Sequence, residues 1–307
     1  MTLVSVVVPV RNRAEPIAAC IEALLAQTYR QLEIIVVDND SSDETRDVVR
    51  RYPVKLAEER AIRTSYAARN CGIDYARGEI VAFIDSDCIA EPHWIGELIA
   101  PFADERCGAA VGTIHDAPSR TLCEEYSSRI DPFARPTHGG LRTLLTANAA
   151  VRRSTLIRVG FFDERLPTAG DVDLGWRIQM QLGLSIVDAP AAVVSHVHRS
   201  TFRGVFRQYA RYGLSEILLT TLYRGAAGSR PPKRQLPQMA RQLRACVTYV
   251  LGFAWRFMSG PFDRRRFLWP LFLLTVETGN LAGKVGGLWS TRFHRRNPYP
   301  NDRPIIR

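Results

Sequence analysis

The sequence lacks the local motifs of several large protein classes. Its six cysteines form no Cys-x-x-Cys pair, which argues against a zinc site or a disulfide framework. No G-x-G-x-x-G follows the first apolar run, and no G-x-x-x-x-G-K-[ST] is found, so the dinucleotide-binding fingerprint and the P-loop are both missing. The cysteines are therefore expected to be reduced and mostly buried, as in a cytosolic protein.

Targeting and repeat signals are also absent. No basic residues precede the apolar stretch at the N-terminus, and the Arg-containing segment VRNRAEP follows it at once, which is typical of a strand rather than a signal peptide. No internal repeat or low-complexity block occurs. Every apolar run is shorter or more interrupted than the ~20 residues that a transmembrane helix needs.

What is present is the composition of a globular chain with an uneven charge. Of the 307 residues, 46% are apolar and 23% are charged, which suits one large domain or a domain with an appendage. Residues 200–307 hold 19 Lys/Arg and 4 Asp/Glu, a balance of +15, whereas residues 1–199 have a balance of −5. The net charge of +10 therefore belongs to the C-terminal third.

The first 115 residues alternate β-branched runs with amphipathic stretches. The predicted strands are 3–10, 33–38, 53–57, 80–84 and 109–114, and the predicted helices are 14–26, 43–52, 64–76 and 92–102. This alternation predicts an α/β fold with a Rossmann-like, mostly parallel sheet flanked by helices. In such sheets ligands bind beyond the carboxyl ends of the strands.

The remaining pattern is less regular. Residues 116–145 contain several Pro and Gly, after which a strand at 146–152, a helix from about Asp171 to Leu182 and a strand at 191–198 are predicted. Beyond Arg199 the chain is helical and basic, with a flexible joint at 225–237. We expect one α/β domain at 1–199, whose pattern changes near residue 115, and a helical extension at 200–307.

Two carboxylates, Asp85 and Asp87, end the predicted strand 80–84. At about 5 Å and an effective dielectric of about 20, their repulsion would be about 3 kcal/mol. A divalent cation would remove that repulsion, since Mg²⁺ and Mn²⁺ prefer oxygen ligands and are commonly shared with substrate phosphates. The alternative is that both residues cap the helix at 92–102.

Five blocks carry a resemblance to a known family: VSVVVPVRN, EIIVVDNDSSDET, ARNCGIDYARGEIVAFIDSDC, TANAAVRRSTLIRVGFFDERL and GDVDLGWRI. In order and spacing they resemble the family 2 glycosyltransferases over about residues 3 to 199. The resemblance implies the GT-A fold, with a nucleotide-binding half of 1–115 and an acceptor-binding half of 116–199. It also implies inverting transfer from a nucleoside-diphosphate sugar with a divalent metal, Mn²⁺ or Mg²⁺.

The resemblance assigns donor-site roles to individual residues. Pro9 and Asn12 would frame the nucleotide pocket, and Asp38 would bind the base or ribose, unless it only starts a turn. Arg69 and Asn70 would lie near the nucleotide or diphosphate, Asp85 near the ribose or donor sugar, and Asn148 near the acceptor or donor sugar. Asp87 would ligate the metal. Arg11 stands where the family commonly has an aromatic residue.

The same resemblance places the general base at Asp171, although Gly170 stands where the family has Glu. Asp171 also suits a helix N-cap, and Asp173 is the second candidate for the base. Trp176 and Arg177 are placed at the acceptor or diphosphate, with core packing as the alternative for Trp176. His196 is expected to be an extra metal ligand in preference to His198.

The basic C-terminal third contains two apolar stretches, 243–258 and 267–283. One interpretation is a helical subdomain that packs on the catalytic core. The favoured interpretation is interfacial helices on an anionic membrane surface, with Trp255, Trp269 and Trp289 as anchors and Arg264–Arg266 and Arg292–Arg296 as lipid contacts. No nucleic-acid-binding motif is present, so nucleic acid is not expected as a partner.

The predicted function is therefore a metal-assisted glycosyltransferase, cytoplasmic and peripheral to the inner face of the cell membrane, that acts on a glycan or lipid-linked envelope acceptor. A sugar-1-phosphate nucleotidyltransferase is less well supported because PVRNRAEP contains no glycine for a phosphate-binding loop. A non-catalytic nucleotide-sugar-binding protein is the third hypothesis, and the missing Glu before Asp171 is its support.

Overall fold

The computed structural model describes residues 2–130, 140–223, 235–259 and 263–294, and within them eight strands form one sheet. The strands are β1 (Val4–Val10), β2 (Leu32–Asp38), β3 (Lys55–Glu58), β4 (Ile80–Ile84), β5 (Cys88–Ala90), β6 (Cys107–Asp116), β7 (Asn148–Arg152) and β8 (Ser185–His196). The helices are α1 (Ala14–Leu25), α2 (Thr45–Val49), α3 (Ser65–Tyr75), α4 (Trp94–Ile99), α5 (Leu122–Ser128), α6 (Arg153–Val159), α7 (Gly170–Leu182), α8 (Phe202–Leu222), α9 (Gln235–Ser259) and α10 (Arg264–His294). A 3₁₀ turn, Ala100–Ala103, follows α4.

The sheet order is β3-β2-β1-β4-β7-β6-β8-β5. β7 is antiparallel to both its neighbours and β5 is antiparallel to β8, so the other strands all point the same way. The mostly parallel α/β sheet is confirmed. Because β7 is reversed, its first residue, Asn148, lies opposite the last residue of β4, Ile84, at the edge where β1, β2 and β4 also end.

The core lies on both faces of this sheet. All seven residues of β1 are buried. Val6 and Val8 belong to the cluster under α1 and α4, and Val7 belongs to the cluster under α3 and α7, as the two-residue period of a strand requires. All six cysteines are free thiols and five of them are buried, as expected.

Two regions differ from the sequence prediction. β8 begins at Ser185 rather than 191, because a register shift opposite Gly112 and Thr113 accommodates Pro190 within the strand. The loosely patterned region 116–145 contains α5, which a capping box of Thr121 and Glu124 starts. The T-x-x-E spacing was the available signal for that helix.

The last helices pack on the rest of the chain and on one another. Backbones of α8 and α10 approach so closely that a Cβ at Gly283 would lie 1.8 Å from the Ala210 carbonyl oxygen. Between the same helices, fully buried Lys284 pairs with Glu216 at 2.8 Å. Small residues therefore set the distance between α8 and α10, and one ion pair crosses their interface.

The C-terminal predictions are corrected in part. The stretch 267–283 is not lipid-facing as a whole, because Phe272 is fully buried in an aromatic cluster with Tyr126 of α5. Trp269 stacks on Phe272 in that cluster and is not an interface anchor. Of the predicted joint, residues 225–234 lie outside the described residues, as do Arg295 and Arg296.

Candidate active site

A cavity of about 410 Å³ lies at the edge of the sheet where β1 and β4 end. The start of α7 and one face of α8 form its other walls. Several residues that the sequence assigned to a site line it together: Pro9, Arg69, Asp85, Asp87, Asp171 and His196. The tertiary structure therefore brings the proposed donor, metal and base positions into one space.

Asp85 is held by an arginine from the neighbouring helix. The Arg69 guanidinium, which extends from α3 and is almost fully buried, donates to Asp85 Oδ1 at 2.5 Å. The Arg69 guanidinium also lies 5.7 Å from the centre of the Tyr66 ring. Asp85 therefore enters the cavity with a partly neutralised charge.

Asp87 is surrounded by cations and by His196. Its Oδ2 lies 3.2 Å from Arg199 Nη1 and 3.6 Å from Arg13 Nη2, and its Oδ1 lies 3.7 Å from His196 Nε2. The antiparallel pairing of β5 with β8 sets Cys88 opposite His196 and so brings the histidine to this carboxylate. The repulsion between Asp85 and Asp87 is thus relieved by arginines, which the sequence prediction did not include.

Burial dominates the ionisation of this pair. Burial raises the pKa of Asp87, and the nearby His196 opposes that rise. Burial also lowers the pKa of His196, which favours the neutral imidazole that metals bind. His198 has a different partner, since its Nε2 lies 2.6 Å from Asp116 Oδ1. The preference for His196 over His198 beside Asp87 therefore agrees with the geometry.

A divalent cation fits between Asp87 and His196. Two ligands that each lie about 2.1 Å from one ion can be up to about 4.2 Å apart, and these two atoms are 3.7 Å apart. No group of three or more His, Cys, Asp or Glu side chains suited to a metal occurs among the described residues. Further ligands would have to be phosphate oxygens and water, as is usual for Mg²⁺ and Mn²⁺ sites.

Asp171 lies at the start of α7 and lines the cavity. Its Oδ1 accepts hydrogen bonds from the Tyr66 hydroxyl at 3.3 Å and from the Val172 amide at 3.0 Å. Burial raises the pKa of Asp171, and Arg69 opposes that rise. The N-cap of α7 is Ala169, so the capping interpretation of Asp171 is wrong.

Gly170, which stands in place of the family's Glu, packs directly against Tyr66. A Cβ at position 170 would lie 2.9 Å from carbon atoms of the Tyr66 ring. The ring thus fills the space that a side chain at 170 would need, while its hydroxyl contacts Asp171. Tyr66 therefore occupies the space beside Asp171 that the Glu of the family's Glu-Asp pair would need.

Asp173, Trp176 and Arg177 lie in the core rather than in the cavity. Fully buried Asp173 pairs with Arg177 at 2.8 Å, and Arg177 also donates to the Val159 and Phe161 carbonyls. Trp176 is buried. The placement of Trp176 and Arg177 at the acceptor or diphosphate is therefore corrected, because both are buried and neither lines the cavity.

Three asparagines also have internal partners. Asn12 Oδ1 accepts from the Ser42 amide at 2.8 Å, and Asn70 exchanges hydrogen bonds with the Phe162 backbone. Asn148 accepts from Trp94 Nε1 and donates to two carbonyls. These asparagines do not line the cavity. Asn70 and Asn148 are buried and join separate segments, so the site-contact expectations for these two are corrected, whereas the expectation for exposed Asn12 stays a prediction.

Asp38 is fully buried at the end of β2, outside the cavity. Its Oδ2 accepts from the Ser41 amide at 3.0 Å, so it does start a turn. Its Oδ1 has no hydrogen-bond partner within the described part of the chain.

The interpretation of Asp85 and Asp87 as helix caps is wrong, because His93 precedes α4 and no side chain caps this helix.

Sequence reasoning missed one wall of the cavity. Gln208, Arg211, Tyr212, Ser215 and Leu219 of α8 line it. Their spacing of three and four residues marks a single helix face, which was a readable signal. Nothing in the local sequence indicated that this face packs against Asp171.

A family model described as "Glycosyl transferase family 2" matches residues 5–162, more than half of the chain. Glycosyltransferase AglE of Haloferax volcanii is 29% identical over 73% of this chain and 76% of its own length. A pre-mycofactocin glycosyltransferase of Mycobacterium tuberculosis is 29% identical over 68% of this chain. The match covers 46% of that relative's own length.

Among solved structures, the mannosyltransferase PcManGT from Pyrobaculum calidifontis superposes with a TM-score of 0.61 at 22% identity. The match covers 94% of this chain and 88% of that structure. At this identity the likeness concerns the fold.

Proposed function

This chain belongs to glycosyl transferase family 2 and has the GT-A fold of a glycosyltransferase, and from that premise we propose that it transfers a sugar, with inversion, from a nucleoside-diphosphate sugar to a lipid-linked or other envelope glycan acceptor with the aid of a divalent cation. The observation that carries the proposal is the shared cavity of Asp85, Asp87, His196 and Asp171.

Donor binding is assigned to the strand side of this cavity. Arg13 and Arg199 lie within 3.6 Å of Asp87 and supply positive charge for a diphosphate. The assignment of Asp38 to the base or ribose stays a prediction, since Asp38 is fully buried and lies outside this cavity. Arg69 holds Asp85 toward the donor sugar.

Asp171 is assigned the role of general base. Tyr66 and Val172 fix one of its carboxylate oxygens. Asp171 would accept the proton of the acceptor hydroxyl while the hydroxyl oxygen attacks the anomeric carbon and the bond to the diphosphate breaks. A single displacement of this kind inverts the anomeric configuration.

A divalent cation held by Asp87 and His196 would neutralise the charge on the leaving diphosphate. Mn²⁺ suits a mixed carboxylate and imidazole pair better than Mg²⁺. The PcManGT structure is a complex with GDP-Man and Mn²⁺, which agrees with this donor and metal class. α8 forms one wall of the cavity and would limit the access of water to the donor from that side.

Peripheral association with an anionic membrane is proposed from α9. Its large apolar side chains are exposed although they share one helical stripe: Leu236, Leu243, Val247, Val250, Leu251 and Trp255. Trp255 and Trp289 are 67% and 73% exposed. The segment Gln235–Ser259 contains no Asp or Glu, and Arg241 and Arg244 are exposed beside the stripe.

An exposed apolar stripe on a helix that has basic and no acidic residues matches an interfacial helix on anionic lipid. Among the described residues, no helix combines the length and apolar character that a membrane crossing requires. The proposed interaction is therefore on the membrane surface, which is where a lipid-linked acceptor would be presented.

The test is release of nucleoside diphosphate from a panel of nucleotide sugars, with and without Mn²⁺ and Mg²⁺. The proposal expects slow, metal-dependent hydrolysis of one donor class, and faster turnover with a lipid-linked acceptor. Binding of a nucleotide sugar without any hydrolysis would instead support the non-catalytic alternative. The same assay on Asp171→Asn separates chemistry from donor binding.

A further inference from the structure

The cavity wall formed by α8 lies outside residues 5–162, the part of the chain that the family model matches. Ser215 Oγ of α8 lies 3.0 Å from Thr168 Oγ1, just before α7, which holds the two segments together. The packing of α8 on α10 supports this position from the other side. The wall is therefore a built part of the site on the side of Asp171.

This wall presents hydrogen-bond donors. Arg211 has no acidic partner among the described residues, although its side chain lines the cavity. The Tyr212 hydroxyl oxygen accepts a hydrogen bond from Gln208 Nε2 at 2.9 Å, which leaves the phenolic proton free to be donated. Burial and the Asp171 and Asp85 carboxylates of the same cavity raise the pKa of Tyr212, and a phenol in any case keeps its proton at neutral pH.

The arginines near the strand ends are different. Arg69 is paired with Asp85, and Arg13 and Arg199 are paired with Asp87. Glu216, the acid next to this face of α8, is paired with Lys284. Asp85, Asp87 and Asp171 line the same cavity, but none of them forms an ion pair with Arg211 or a hydrogen bond with Tyr212 among the described contacts. A guanidinium and a phenol in this position favour an anionic ligand with several acceptor oxygens.

We propose that Arg211 and Tyr212 bind a phosphate group of the acceptor, so that the acceptor is a phosphate- or diphosphate-linked molecule rather than a neutral glycan. This inference rests on the proposed transferase function. The donor diphosphate is assigned to the opposite side of the cavity, near Asp87 and Arg199. The enzyme would then hold two phosphate-bearing substrates with separate sets of cations.

The test uses the full chain saturated with a nucleoside diphosphate and Mn²⁺, so that the donor side is filled. Binding of undecyl diphosphate is then measured by equilibrium dialysis, with inorganic pyrophosphate as a second probe. A charge-assisted hydrogen bond to a guanidinium is worth about 1.5–3 kcal/mol, so Arg211→Gln should raise the Kd of undecyl diphosphate about 10- to 100-fold. Tyr212→Phe should raise it about 5-fold, and Arg211→Lys should recover part of the loss.

The matched control is Arg207→Gln, the same charge change one turn earlier on α8 at an exposed position outside the cavity. It should leave the Kd of the probe unchanged. Equal affinity for undecyl diphosphate and for pyrophosphate would indicate a soluble phosphate-bearing acceptor. Tighter binding of undecyl diphosphate would indicate a lipid-linked acceptor.

The inference is overturned if the nucleoside-diphosphate-loaded protein binds neither probe, or if Arg211→Gln and Arg207→Gln behave alike. It is also overturned if Arg211→Gln weakens nucleoside diphosphate as much as the probe, since Arg211 would then serve the donor. The donor-hydrolysis assay tests the proposed function separately. If the protein hydrolyses no donor but still binds undecyl diphosphate in an Arg211-dependent way, the proposed transferase activity is contradicted and the phosphate-binding site is retained.

Discussion

Asp173 and Arg177, one turn apart on α7, form a fully buried ion pair at 2.8 Å, and this pair holds Asp173 away from the cavity that Asp171 lines. Two carboxylates that are close in sequence therefore have different roles. Asp173 is part of the packing between α7 and the segment around Phe161, and Asp171 faces the cavity.

Exchange of these two carboxylates for amides should separate the roles. Asp171→Asn should lower transfer about 10²-fold or more, the usual scale for a general base, while donor binding is retained. Asp173→Asn should instead lower the free energy of unfolding by about 3–5 kcal/mol, because it leaves Arg177 buried without its charge partner. Steady-state kinetics and urea unfolding of both variants provide the comparison, and wild-type rates for Asp171→Asn would contradict the assignment.

The pH dependence follows from the raised pKa of Asp171. The base must be ionised, so activity should fall as pH drops through a value above the ordinary 3.8 of an aspartate. Because the folded pKa is raised, the ionised carboxylate opposes folding at neutral pH, and Asp171→Asn should not reduce the free energy of unfolding at pH 7. If the residual activity of Asp171→Asn falls at low pH as the wild-type activity does, a group other than Asp171 is the one that titrates.

The contact between Gly170 and Tyr66 predicts a paired effect. Gly170→Glu alone should destabilise the protein by about 1–3 kcal/mol, since its side chain would overlap the Tyr66 ring. The double variant with Tyr66→Ala, which makes room for a Glu-Asp pair, should lose less stability than the sum of the two single variants. Urea unfolding of the three variants is the measurement, and strictly additive losses would argue that the ring does not occupy that space.

Asp87→Ala should abolish metal-dependent turnover, because its carboxylate and His196 are the proposed ligands. His196→Ala should raise the Mn²⁺ concentration required for half-maximal activity, since one of the two protein ligands is lost. His198→Ala is the matched comparison, as its ring pairs with Asp116. Unchanged activity of Asp87→Ala over a Mn²⁺ titration would remove the metal from the mechanism.

The close approach of α8 and α10 predicts opposite results for two glycines of α10. Gly283→Ala should cost at least about 1–3 kcal/mol and lower activity, because its Cβ would push α8 out of the cavity wall. Gly286→Ala has open space around the new methyl group and should be neutral or stabilise the helix by up to about 1 kcal/mol. Thermal unfolding and donor turnover of both variants test the role of this interface.

The apolar stripe of α9 predicts lipid binding that depends on particular side chains. Leu243→Glu with Leu251→Glu should reduce binding to phosphatidylglycerol vesicles about 10²-fold or more, given about 1.5–3 kcal/mol per buried leucine. Leu25→Glu, at an exposed position on α1, is the matched control. Cosedimentation with anionic and neutral vesicles measures the effect, and retention of binding by the double variant would place the contact elsewhere.

Much of the structure of residues 1–115 was predictable because its signals are local. The buried β1 and β4, the polar residues at their ends and the order of strands and helices follow from short-range periodicity. Local sequence could not assign Asn70, Asn148 or Arg177, since the neighbouring residues do not show which distant groups each of them contacts. Only their distant partners, Phe162, Trp94 and the Val159 carbonyl, show that they hold segments together.

The sequence by itself determined the α/β alternation, the acidic end of β4 and the family, because these depend on neighbouring residues and fixed spacings. The tertiary structure decided which polar side chains share a cavity, since β7 is reversed, β8 brings His196 beside Asp87, and α8 packs across the site. Those choices depend on contacts between segments far apart in the chain, and hydrophobic periodicity does not specify which buried faces meet.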